Sequence, residues 1–179
     1  MAGMSDVKLR TALSRGPCPS LPRLAARYLE EYRQKIHLAT AGLSDEQLWW
    51  RPAPGSNSIG NLVLHLCGNL SQWLLEGLGG EAYARRRGAE FAAAGGPGRD
   101  ELLARLDGVV RRCREVLAAA DGAPLDRRLE VQGYAVDVLG VVFHATEHTS
   151  YHTGQILFLA KQLLGADHGL ELYPQHRGE

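Results

Sequence analysis

An all-α four-helix bundle with a long crossover connection is the fold class that the sequence predicts, and three observations predict it. Four segments carry apolar residues at helical turn spacing for about five turns or more. A Gly- and Arg-rich stretch at 81–99 separates the second segment from the third, long enough to cross one end of a bundle. Strand-like alternation is confined to one short stretch at 129–136.

The elements follow in order. Residues 1–19 mix charges with Gly16, Pro17 and Pro19 and read as a flexible N-terminal leader. Ser20 before Pro22 is a favourable helix start, and Leu24, Tyr28, Leu29, Tyr32, Ile36 and Ala39 continue at turn spacing to Gly42. Ser44-Asp-Glu-Gln47 fits a capping box ahead of Leu48, Trp49 and Trp50, so a short helical turn ends before Pro52. Arg51 to Asn57 is loop chemistry. From Ser58 to about Gly77 the stripe Ile59, Leu62, Val63, Leu66, Leu70, Trp73, Leu74 and Leu78 predicts the second long helix, stopped by Gly79-Gly80. At most one helical turn is expected within 81–99. The third long helix runs from about Asp100 to Ala119, through Leu102, Leu103, Leu106, Val109, Val110, Cys113, Val116 and Leu117. Leu129 to Val136 reads as a short hairpin, which needs packing to be stable. The fourth helix spans Val138 to Leu164 and closes at Gly165. The bundle domain is thus expected at 20–166, with 167–179 as a C-terminal tail.

Twenty basic residues balance twenty acidic ones, so no net field draws the chain to nucleic acid or to an anionic membrane. A small-molecule partner is expected instead. Three cysteines, Cys18, Cys67 and Cys113, show no CxxC spacing, which argues against a disulfide framework and for the cytoplasm. No stretch of about 18 apolar residues and no secretory h-region occurs, so neither membrane spanning nor secretion is expected.

The residues that point to chemistry are histidines. His144, His148 and His152 recur every four residues, each about 40° round the helix and about 6 Å along it from the last. Neighbours four apart can share one metal ion, whereas His144 and His152 stand about 12 Å apart along the axis. Spacing alone leaves open which pair is used. His65 interrupts the apolar run Asn61-Leu-Val-Leu-His-Leu-Cys and needs a polar partner, which makes it the candidate third ligand. Three imidazoles with an open position form a catalytic rather than a closed structural arrangement. The bland reading is a hydrogen-bonded core histidine and a chance helical repeat.

Two motifs bear on that choice. Ser58-Ile-Gly-Asn-Leu-Val-Leu-His65-Leu-Cys-Gly-Asn69-Leu resembles the second-helix signature of the DinB/YfiT-like superfamily. His148-Thr-Ser-Tyr-His152-Thr-Gly154-Gln155-Ile156 is similar to its HxxxHxGQI signature. The resemblance extends from Leu43-Ser-Asp-Glu-Gln-Leu-Trp-Trp-Arg-Pro to Lys161, and Gly68-Asn69 and Arg87 with Glu90-Phe91 look closest to a branch of unknown function. It implies a four-helix bundle, often dimeric, with a divalent metal on His65, His148 and His152, and it leaves His144 outside the motif. Zinc or nickel is expected ahead of iron or manganese. Some members of that superfamily are thiol-dependent transferases or isomerases, so the resemblance implies a metal-dependent transferase that activates a low-molecular-weight thiol toward an electrophile. A metal-dependent hydrolase and a non-catalytic metal-binding dimer are the alternatives.

Around these ligands, Asn69, one turn from His65, and Tyr151 and Gln155 are candidate substrate-pocket residues. Glu147 is expected to be a solvated or salt-bridged charge. Cys67 lies about 200° round the helix from His65, so it and Cys113 read as buried structural thiols, while Cys18 in the leader is the reactive candidate. Trp49, Trp50 and Trp73 are expected in the core, and Arg85 to Arg87 on the solvated surface. His37, His168 and His176 have no partners at ligand spacing.

Overall fold

A computed structural model describes residues 19–165 together with Leu170 and Leu172. Cys18, His168, His176 and the other residues of the leader and tail, apart from Pro19, Leu170 and Leu172, lie outside the described residues.

Four long helices form the bundle: α1 (Leu21–Thr40), α3 (Ile59–Leu70, continued by a π-helical segment Ser71–Leu78), α5 (Arg99–Ala119) and α6 (Val138–Leu164). Two short helices, α2 (Asp45–Trp49) and α4 (Arg87–Ala92), lie in the connections, and β1 (Arg128–Val131) and β2 (Tyr134–Asp137) form an antiparallel hairpin before α6. Helix α1 packs on α5 and α6, and α3 packs on the same two, so α1 and α3 stand diagonally across the bundle. The fold is therefore all-α apart from that hairpin.

Local chemistry explains the boundaries. Ser44 with Gln47, and Ser58 with Asn61, each form a reciprocal capping box. Asp137 caps α6, its Oδ1 accepting from the Gly140 amide at 2.8 Å. The hairpin turns on Gln132 and Gly133, both with positive φ (55° and 78°), as a two-residue turn of the primed kind requires. It is held against the bundle where Val131 meets Gly77; a Cβ on Gly77 would lie 2.5 Å from the Val131 side chain.

Two elements differ from expectation. The second long helix does not remain α-helical to Gly77 but widens into a π-helix at Ser71, which buries Trp73, Leu74 and Leu75 in succession. Such widened stretches often accompany functional sites. Helix α4, at six residues, also exceeds the single turn expected in the crossover. The interior is apolar along all four helices, with Leu29, Ile36, Leu62, Leu66, Leu106, Leu117, Val141 and Ile156 fully enclosed. Among the described residues, no helix is long and apolar enough to cross a membrane.

Candidate metal centre

His65 from α3 meets His148 and His152 from α6 at the interface of those two helices. Ligand-capable ring nitrogens of the three lie within 4.8 Å of one another. His65 Nε2 and His148 Nε2 are 2.9 Å apart. Two imidazole lone pairs at that distance repel unless a proton or a cation lies between them. Burial first, then the neighbouring His152, His65, His144 and Arg85, push the protonated form of His148 down to about 3, so the ring is neutral near pH 7. Burial lowers His152 as well, against the Gln155 hydrogen bond that favours its charged form. A set of imidazoles with no carboxylate or thiolate among them suits a borderline divalent ion. The cluster therefore fits a metal that it can hold.

Two of the rings are fixed from behind. His65 Nδ1 lies 2.9 Å from Glu90 Oε2, and His152 Nδ1 lies 2.7 Å from Gln155 Oε1. A ring N–H facing each oxygen leaves Nε2 with its lone pair for a metal; at His65 the Arg85 Nη2, 3.1 Å from Nδ1, competes with Glu90 for that nitrogen. Arg85 grips the same Glu90 carboxylate with Nε and Nη2, both at 2.9 Å, and donates through Nη1 to Gln72 Oε1 at 3.2 Å. Burial opposes the charge on Glu90, but the hydrogen bonds from His65 and Arg85 outweigh it and hold the carboxyl below its ordinary range.

The placement of Glu90 begins at the start of α3. Asn61, the third residue of the capping box, spends its Nδ2 on the Glu90 and Ala93 carbonyls at 2.9 and 2.8 Å. Arg51 holds the Phe91 and Ala93 carbonyls, each at 2.8 Å. These bonds fasten α4 across the end of α3. Gly68 then leaves room for the carboxylate, because a Cβ there would collide with Glu90 Oε1.

The other expected residues are divided between two cavities. Asn69 lines a cavity of about 450 Å³ with His65, His148, His144, Trp73 and Arg87. Its Nδ2 reaches His144 Nε2 at 3.4 Å, and His144 lies 4.0 Å from the Trp73 ring. Tyr151 and Gln155 line a separate cavity of about 530 Å³ with Pro52, Asn57 and Phe158. Glu147 is exposed, Cys67 and Cys113 are buried, and His37 bonds to Asp107 at 2.7 Å.

Two expectations are corrected. Arg85 is not solvated surface: its side chain is 5% exposed because its charge is matched by Glu90. Trp50 is not core but 44% exposed, since the chain turns away from the bundle after α2. Trp49 is half-buried, its Nε1 donating to the Pro97 carbonyl, while Trp73 is buried and yet forms part of the cavity wall. Glu90 and Arg85 are the residues behind His65 that spacing did not reveal. The only signal in the sequence was Glu90-Phe91 within the resemblance.

Fold and cluster together define a four-helix bundle protein with a histidine site between two facing helices. Residues 28–156 match the family model of the DinB superfamily, and the chain belongs to that superfamily. It is also similar to the crystal structure of a conserved protein of locus from Enterococcus faecalis, with a TM-score of 0.67 over 83% of this chain and 100% of that one. At 14% identity that likeness speaks to fold alone. No curated protein matches the chain in sequence.

Proposed function

We propose that the protein is a metal-dependent transferase in which His65, His148 and His152 hold one divalent ion, zinc or nickel ahead of iron or manganese, for reaction of a low-molecular-weight thiol with an electrophilic small molecule. The observation that carries this reading is the convergence of three imidazoles, two of them held through Nδ1, beside a cavity of substrate size. A bound divalent ion supplies a Lewis acid that favours the thiolate form of a thiol near neutral pH.

The chain's own residues do the rest. Glu90 and Gln155 orient the His65 and His152 rings. Trp73 and Val136 give the cavity an apolar wall beside the cluster, while Asn69 and His144 offer polar contacts to the substrate. Chemically, the thiol proton leaves to solvent and sulfur bonds to the electrophilic carbon, whose leaving group or ring oxygen takes the electron pair. We also propose a homodimer, a reading supported by Leu139, Phe143, Tyr151 and Phe158, which stand exposed along one side of α6.

The test compares metal-loaded and chelator-stripped protein for consumption of styrene oxide with and without added thiols. A rate that needs both metal and thiol is expected. No such rate with any of glutathione, mycothiol or bacillithiol would overturn the transferase reading.

A further inference from the structure

We infer that the cavity beside the histidine cluster takes a small molecule carrying a carboxylate and an amide, with Arg87 as the anchor for the carboxylate and Asn69 and Trp73 as partners of the amide. This rests on reading the cluster and its cavity as one substrate site, and it specifies the class of substrate.

The charge around the cavity comes first. Its lining includes two arginines, Arg85 and Arg87, and neither aspartate nor glutamate. The guanidinium of Arg85 is already committed to both oxygens of Glu90 and to Gln72. Arg87 is in none of the ion pairs among the described residues and is exposed. Its Cζ lies 5.0 Å from the centroid of Phe91, whose ring lies 4.6 Å from that of His65, a cation–π contact that leans it toward the cluster. An exposed guanidinium without a counter-charge, one ring away from the cluster, is a partner for a planar anion.

Hydrogen-bonding capacity is the second observation. Asn69 is 3% exposed and Trp73 7%, and both line the cavity. Among the described residues, Asn69 Oδ1 and Trp73 Nε1 have no hydrogen-bond partner. Buried polar atoms are rarely left so; these two lie enclosed beneath the cavity wall, and a ligand in the cavity reaches them when the Asn69 and Trp73 side chains turn toward it. One is an acceptor and the other a donor. An amide supplies the matching N–H and C=O, which neither a hydrocarbon nor a simple carboxylate can do.

Three probes separate the parts. N-acetyl-L-cysteine has the carboxylate, amide and thiol; N-acetylcysteamine lacks the carboxylate; N-acetyl-L-alanine lacks the thiol. Dissociation constants are read by NMR for zinc-loaded and chelator-stripped full-length protein. Removal of the carboxylate is expected to weaken binding at least fivefold in both forms. Arg87→Met should erase that preference without lowering the melting temperature, Arg87→Lys should keep part of it, and Asn69→Leu should weaken all three probes. Equal binding of N-acetylcysteamine and N-acetyl-L-cysteine, an undiminished preference in Arg87→Met, or no binding of either carboxylate probe would overturn the inference. The thiol reading fails separately: equal binding of N-acetyl-L-alanine and N-acetyl-L-cysteine to the zinc-loaded form would remove it while supporting the anchor.

Discussion

Glu90 reaches across from the crossover to place a carboxylate oxygen 2.9 Å from His65 Nδ1, and Arg85 fixes that carboxylate from its other side. The pair holds the His65 ring from its Nδ1 side, Glu90 Oε2 at 2.9 Å and Arg85 Nη2 at 3.1 Å, and so sets how the ring is aimed. Loss of such a supporting carboxylate typically lowers metal affinity by about 10–100-fold. Glu90→Gln, which keeps the shape and one hydrogen bond, should lose less than Glu90→Ala. Competition with a zinc-chelating dye measures both, and unchanged affinity in Glu90→Ala would contradict the role.

Gly68 provides the space for Glu90. Gly68→Ala forces the Glu90 side chain away, so it should weaken zinc binding as Glu90→Ala does and cost about 1–3 kcal/mol of stability through overpacking. Gly108→Ala on α5, where a Cβ meets nothing within 4 Å, is the control. It should leave zinc affinity unchanged and stabilise the helix by about 0.5–1 kcal/mol. Thermal unfolding with the dye assay distinguishes the two substitutions.

How much of this was legible in the sequence depends on the range of the interactions. The caps at Ser44, Ser58 and Asp137 and the apolar stripes act within one or two turns, so residue spacing displays them directly. The widening at Ser71 was hidden because Trp73, Leu74, Leu75 and Leu78 satisfy an apolar stripe in either helical form. Arg85 looked like surface because a buried arginine is recognisable only through its partner, and Glu90 reaches His65 across 25 residues of intervening chain order. The four-residue repeat from His144 to His152 announced a site but offered two pairs; the resemblance favoured His148 with His152. In the fold His144 turns instead to Trp73 and Asn69.

The two buried thiols should be inert. Burial pushes Cys67 up to about 12 and Cys113 higher still, so neither forms thiolate near neutral pH. In a Cys18→Ser variant, Ellman's reagent should react slowly with native protein and label both remaining cysteines once it is unfolded. Rapid labelling of the native form would show that the α3–α5 interface opens.

Acid should weaken the α1–α5 interface through Glu30. Burial would raise this carboxyl, but hydrogen bonds from Arg33 and Gln34 and the charges of Arg33 and Arg114 hold it below 4.5. A folded value below the unfolded one stabilises the protein above the unfolded value, and that contribution is lost as pH falls through the folded one. The melting temperature of Glu30→Gln should therefore fall less steeply below pH 4.5 than that of the parent protein. Parallel curves would assign the acid sensitivity elsewhere.

The metal content of untagged protein, loaded with zinc and dialysed, tests the centre most directly. One equivalent per chain is expected for the parent protein and for His144→Ala, with less than about a tenth retained in His65→Ala, His148→Ala and His152→Ala, all with unchanged helical circular dichroism. A parent protein that retains no zinc, or a full equivalent surviving the loss of any of these three histidines, would contradict the site.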